Sequence, residues 1–235
     1  MLLHGFPLDH TIWREVVPYL ETDFDLILPD LRGFGRSAAG GLAFTISDMA
    51  DDIASLLDNI GIEKTLLAGH SMGGYVALAF AKKYPQRVSG LGLVSSQTAA
   101  DTPERREGRY KTAAEVAEKG VSVVVEAMLS KLSADLRVQN FAREVMEGQN
   151  QSALIGALKA MAEREDAASF LSAINFPLLL IHGGVDVLIP IERAREIKAA
   201  VPPAQLIELK GAGHMPMMEL AKETAEALKT FSVQR

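Results

Sequence analysis

The ten residues Leu66-Leu67-Ala68-Gly69-His70-Ser71-Met72-Gly73-Gly74-Tyr75 constrain this chain more than any others. An apolar run of strand type enters Gly69-His70-Ser71-Met72-Gly73, and a helical pattern, Tyr75-Val76-Ala77-Leu78-Ala79-Phe80-Ala81, leaves it. The junction is a G-x-S-x-G sequence in strand–turn–helix context. A strained turn with a serine at its apex brings neighbouring backbone close, and glycines avoid the clash a Cβ would cause. Such a turn holds the serine oxygen up into a cleft. The helix that follows directs its N-terminal N–H groups at developing negative charge.

A serine hydroxyl becomes a good nucleophile only when a base takes its proton and an acid orients that base. The chain has five histidines. His214 lies in Lys210-Gly211-Ala212-Gly213-His214-Met215-Pro216, a loop after the strand-like run Gln205–Leu209, and is the expected base. The others read differently: His70 as support for the turn, His182 as a hydrogen-bonding residue at a strand end, His10 as a solvent-side residue at a helix start. Asp186, in Gly183-Gly184-Val185-Asp186, follows the apolar run Pro177–Ile181 and is the expected acid. Loops at the C-terminal ends of parallel strands are where open α/β sheets build sites. Asp101, several residues beyond the run Leu91–Val94, is the second candidate. The order Ser71, Asp186, His214 matches a known class of triads and favours Asp186.

Acyl chemistry also needs donors for an oxyanion. The N–H of Met72, next to the serine, is one. The second is expected from the opening Leu2-Leu3-His4-Gly5-Phe6-Pro7, where Gly5 permits a close turn and leaves the Phe6 N–H facing the cleft.

With these segments in place the sequence resembles the alpha/beta-hydrolase superfamily, in its small cap-bearing branch of esterases, enol-lactonases, acyl-homoserine lactonases, carbon–carbon bond hydrolases and cofactor-free haloperoxidases. The resemblance rests on His4-Gly5-Phe6-Pro7 with Trp13, Asp30-Leu31-Arg32-Gly33-Phe34-Gly35-Arg36-Ser37, the turn at Ser71, Asp186 and His214. It implies a mostly parallel sheet flanked by helices, with a helical cap inserted after the sixth family strand. Ser71 sets the chain apart from the haloalkane dehalogenases and epoxide hydrolases of this fold, which carry aspartate there, and from dienelactone hydrolases, which carry cysteine. Typical relatives have two strands before the His-Gly loop; only Met1, Leu2 and Leu3 precede it here. The expected sheet therefore lacks the N-terminal strand pair, and a homodimer shielding that edge is the corresponding expectation.

Strand and helix patterns alternate, as in a parallel sheet covered on both faces. Thr45 is a plausible N-cap with Asp48 three residues on, and Met49, Ile53, Leu56, Leu57 and Ile60 follow at helical spacing until Gly61. Between Ser95 and Leu178 no strand signal occurs, and a loop that long without structure is improbable. The expected organisation is a core of residues 1–97 and 173–235 with a cap at 98–172. Met128, Phe141, Met146 and Met161 are the candidate pocket residues of that cap, with Leu129, Leu132, Leu158 and Phe170 also available. Arg105, Arg106 and Arg109 lie among glutamates and read as a solvated face.

Composition narrows the function classes. A formal net charge of −6 without basic runs argues against nucleic acid or anionic membranes as partners. The chain has no cysteine, which excludes disulfides and thiolate metal sites. Gly33-x-Gly35-x-Ser37 does not open into a helix and fails as a dinucleotide fingerprint, so Asp30 and Arg32 read as structural. No apolar run reaches the length of a membrane span and no secretory leader precedes the first motif; the expectation is a cytoplasmic protein. The expected activity is hydrolysis of small carboxylic esters through an acyl-enzyme, with no metal or organic cofactor required. Alternatives are lactone opening, perhydrolysis supporting halogen oxidation, and a hydrolase-fold receptor that binds a small ligand without multiple turnovers.

Overall fold

The computed structural model describes residues 1–38 and 43–232, so positions 39–42 and 233–235 of the expected core segments lie outside the described residues. Five parallel strands form one sheet in the order β1 (Leu2–Leu3), β2 (Thr65–His70), β3 (Val88–Val94), β4 (Leu178–Gly183) and β5 (Gln205–Leu209). In register, Leu3 lies beside Gly69, Gly69 beside Leu93, Leu93 beside Leu180, and Ile181 beside Ile207. Strands β2 to β4 are almost wholly buried, as expected of a parallel sheet covered on both faces.

Chain order follows sheet order, so every strand must be reached by a crossover. The short helix α1 (Val17–Leu20) and the longer α2 (Ile46–Asn59) lie between β1 and β2, and α3 (Met72–Lys83) between β2 and β3. The N-cap expected at Thr45 is a reciprocal box: its Oγ accepts from the Asp48 N–H at 3.0 Å while Asp48 accepts from the Thr45 N–H at 2.7 Å. After the helix Gly61 takes a φ of +70°, as its sequence position suggested.

Beside β1 no further strand joins the sheet among the described residues. The run Asp25–Pro29 passes there without forming a regular strand, and the Ile27 carbonyl accepts from the Leu2 N–H at 2.9 Å.

Between β3 and β4 stands a wholly helical insertion, consistent with a cap: α4 (Pro103–Lys119), α5 (Ser122–Leu132), α6 (Leu136–Glu147), α7 (Gln151–Ala162) and the single turn α8 (Ala168–Leu171). α4 lies along α7, and Gln151 Nε2 donates to the Val116 carbonyl at 2.7 Å where the two meet. Backbone–backbone bonds join the insertion to the sheet loops: Ala167 N–H to the Thr98 carbonyl at 3.0 Å, and His214 N–H to the Leu132 carbonyl at 3.2 Å. The fold closes with α9 (Glu192–Ala200), α10 (Pro216–Glu219) and α11 (Ala221–Lys229). Among the described residues no helix is long and apolar enough to cross a membrane.

Candidate active site

All loops that carry the predicted residues leave the C-terminal ends of strands: His4-Gly5-Phe6 after β1, Ser71 after β2, Asp186 after β4 and His214 after β5. Ser71 is the N-cap of α3 and has φ +50°, ψ −114°, a left-handed conformation rare for a residue with a side chain. Its position is enforced by close backbone approach. A Cβ on Gly69 would fall 2.2 Å from the Gly73 carbonyl oxygen, and one on Gly73 would fall 2.5 Å from that of His4. The Ser71 N–H donates to Val94 O at 2.9 Å, and Ser96 Oγ donates to Ser71 O at 2.9 Å. The turn is thus tied both to the end of β3 and to the loop that follows it.

Across the sheet, His214 Nδ1 donates to Asp186 Oδ2 at 2.7 Å, and both side chains are at most 2 % exposed. Asp186 Oδ1 also accepts from the N–H groups of Leu188 (2.9 Å) and Ile189 (3.0 Å). Burial works to raise the Asp186 pKa, but His214 and the Ile189 N–H outweigh it and hold the carboxyl below its ordinary value. The carboxylate is therefore ionised at neutral pH and fixes His214 with Nε2 turned away from Asp186. Asp101, the other acid considered, does not approach His214. Its side chain is buried among Arg105, Arg109 and Arg164.

Ser71, His214 and Phe6 line one cavity of about 320 Å³, roofed by the helical insertion. Among the described residues neither the Phe6 nor the Met72 N–H has a hydrogen-bond acceptor, although most backbone donors nearby are paired. Gly5 lies against the turn so closely that a Cβ there would meet His70 Nδ1 at 2.5 Å. His4 is buried behind it; its Nδ1 donates to the Gly5 carbonyl at 3.0 Å and its Nε2 accepts from the Leu31 N–H at 2.9 Å.

The remaining histidines also have structural partners. His182 Nε2 donates to Ile189 O at 2.7 Å at the end of β4, as its strand-end position suggested. His70 Nε2 donates to the His214 carbonyl at 2.8 Å. His10 is not a free solvent-side residue: both its N–H and its ring Nδ1 meet Asp30 Oδ1, at 2.9 and 2.7 Å. Asp30 further accepts from the Arg36 N–H at 3.0 Å, while Arg32 pairs with Asp52 at 2.6 Å. Asp9, His10 and Asp30 are, among the described residues, the acid and histidine groups close enough to share a cation. Their oxygens already accept from Thr11, His10 and Arg36.

Of the four cap residues expected at the pocket, Met128 and Met161 line the cavity with Leu158. Phe141 and Met146 do not. α6 turns its apolar stripe inward: Met146 is fully buried, and Phe141 packs under the Arg14 guanidinium, 4.1 Å from its ring centroid. Arg109 departs from the expected solvated face. It lines the cavity with a side chain only 17 % exposed and is paired to Asp101. The signal was in the spacing: Asp101, Arg105 and Arg109 recur every four residues, a stripe along one face leading into α4.

A model of the alpha/beta hydrolase fold matches residues 1–220 of this sequence. The chain belongs to the alpha/beta hydrolase fold family. This alpha/beta hydrolase superposes on a thermophilic esterase from Thermogutta terrifontis, solved with malate bound, with a TM-score of 0.95 and 34 % identity, covering 99 % of this chain and 88 % of that one. It is 31 % identical over 98 % of its length to the dihydrolipoyllysine-residue acetyltransferase component of the acetoin cleaving system of Pseudomonas putida, and spans 62 % of that longer protein. It is 30 % identical over 99 % of its length to the pimeloyl-[acyl-carrier protein] methyl ester esterase of Sodalis glossinidius, spanning 92 % of it.

Proposed function

We propose that this alpha/beta hydrolase is a serine esterase acting on small carboxylic esters. The observation that supports the reading most is the buried His214–Asp186 bond at 2.7 Å beside a cavity that Ser71 and His214 share. In this reading His214 Nε2 takes the Ser71 hydroxyl proton as Ser71 Oγ bonds to the acyl carbon. The Phe6 and Met72 N–H groups receive the oxyanion. Collapse of the tetrahedral species breaks the acyl–oxygen bond, and the proton on His214 passes to the departing alkoxide. Water then gives its proton to His214, attacks the acyl-enzyme and releases the acid, restoring the Ser71 hydroxyl. Asp186 keeps the imidazole in one tautomer and stabilises its charged form.

The esterase relatives support the ester as substrate class. The cavity volume, about 320 Å³, is near the lower end of the roughly 300–1,000 Å³ usual for ligand sites and favours short acyl groups. Turnover on p-nitrophenyl esters of graded acyl length, with lactones in parallel, tests the proposal. Multiple turnovers that decline with acyl length and vanish in Ser71→Ala are expected. A single stoichiometric burst, or turnover that survives Ser71→Ala, would overturn it.

A further inference from the structure

The walls and the mouth of the Ser71 cavity differ in character. Its walls are apolar, supplied by residues such as Val124, Met128, Leu158 and Ile189, whereas Arg105, Arg109 and Lys131 also border it and, among the described residues, no aspartate or glutamate does. This concentration of positive charge stands in a chain whose formal net charge is −6. One buried carboxylate, Asp101, serves three guanidiniums: Arg109 on Oδ2, Arg164 at 2.9 Å and Arg105 at 3.8 Å from Oδ1. Arg164 is consumed structurally. It donates to the Met161 carbonyl at 2.8 Å and the Ala99 carbonyl at 2.7 Å, and lies over the Tyr75 ring at 4.1 Å.

Arg109 is held but not saturated. Its Nε is committed to Asp101 and its Nη1 meets Met161 Sδ at 3.5 Å, leaving Nη2 without an acceptor among the described residues. Arg105 is 45 % exposed and touches Asp101 only distantly, and Lys131 has no ion-pair partner among the described residues. A guanidinium fixed in orientation by a buried acid and flanked by two under-compensated cations is suited to a planar anion. An apolar ester alone would leave these charges unanswered.

We infer that the Ser71 cavity takes esters whose acyl or alkoxy part carries a carboxylate, held by Arg109 with Arg105 and Lys131 at the mouth. This rests on the serine-esterase reading and specifies its substrate class. Arg109 is the specificity-determining residue, and Asp101 is a positioning residue that acts through it.

The test compares monomethyl half-esters of short dicarboxylic acids with the matched neutral dimethyl esters, in wild type and in an Arg105→Gln/Lys131→Gln double variant. Both residues are exposed, so the double variant folds; Arg109→Lys is the third protein, keeping a cation for Asp101 but losing the fork. In wild type the half-ester exceeds the diester in kcat/KM by about tenfold at roughly 20 mM salt, and the preference shrinks at roughly 200 mM. The double variant lowers that ratio by about fivefold through KM. Arg109→Lys, which keeps a charge without the fork, lowers it as well; an Arg109→Lys ratio equal to that of wild type removes Arg109 from the specificity role. A wild type that hydrolyses diesters as well as half-esters at low salt overturns the subsite and leaves the esterase reading standing. A separate readout covers failure of that reading. Succinate should raise the melting temperature of Ser71→Ala more than butyrate does, and this difference should fall when Arg105→Gln/Lys131→Gln is added. Equal shifts with the two acids overturn the subsite whether or not any ester is turned over.

Discussion

His70 Nε2 donates to the backbone carbonyl of His214 at 2.8 Å, so the residue that precedes Ser71 fastens the loop of the proposed base, 144 positions away. The rings lie 4.8 Å apart, and His70 is wholly buried. Burial, reinforced by His214, pushes the His70 pKa well below its ordinary value. A neutral ring with its proton on Nε2 is what the carbonyl requires. His70→Phe would keep the volume and lose the donor, leaving a buried carbonyl unpaired at a cost of about 1–3 kcal/mol. Expected are a lower denaturation midpoint and a reduced kcat, with His70→Gln closer to wild type. If His70→Phe matches wild type in both urea melts and turnover, the bond does not position His214.

Asp186→Asn and Asp101→Asn should fail in different ways. The first removes the anion that orients His214, and by analogy with other serine triads kcat falls by about 10⁴. The second leaves the fold with guanidiniums around a neutral amide, and breaking a buried ion pair costs roughly 3–5 kcal/mol. Its loss should appear in thermal melts rather than in kcat. The reverse pattern would reassign the acid.

Ser71→Ala and His214→Ala should each lower kcat by several orders of magnitude, and the double variant should be little worse than either. That outcome identifies groups acting as one unit in the same step. Multiplicative losses in single-turnover assays would separate their roles.

Acid should destabilise the protein before its carboxylates titrate. His4, His70 and His182 are buried, and burial lowers the pKa of each below the ordinary value. The unfolded chain binds these protons at a pH where the native state does not, so ΔG of unfolding rises with pH in this window. Their contribution is complete above about 6.5 and is lost as pH falls below it, by up to about 1.4 kcal/mol per unit for each group. Asp186 and Asp101, held below their ordinary values, add a second loss only below about 4. Urea melts from pH 8 to pH 5 should show midpoints falling with acid. A flat profile there would mean that the three rings are protonated in the native state.

Where local chemistry sets local geometry, the sequence was legible. Gly69 and Gly73 announce the turn because no Cβ fits against the carbonyls they face, and Thr45 and Asp48 announce α2 because each satisfies the other's backbone N–H. The lack of any strand signal between Ser95 and Leu178 likewise pointed to a helical insertion, without placing its individual helices. Which face of each helix meets the cavity is a different matter, because it depends on how the insertion docks. Thus Met128 and Met161 reach the cavity, while Phe141 and Met146, equally apolar, are spent on packing. Arg109 was misread for the converse reason. Its partner Asp101 is polar in sequence but buried in the fold, and that burial draws the arginine off the surface.

The bond from the His214 N–H to the Leu132 carbonyl makes α5 and the proposed base one mechanical piece. Glu219 reinforces it by accepting from both Ser133 Oγ and the Gly213 N–H. A roof fastened in this way would, on swinging open as a rigid lid, pull on the loop that holds His214 against Asp186. Substrate access must therefore come from segments that carry no such fastening, and the end of α5 would act as a fixed pivot. In the proposed mechanism, a motion that admitted a larger substrate by lifting Leu132 would disturb the base as it did so, limiting size through the base as well as through the walls.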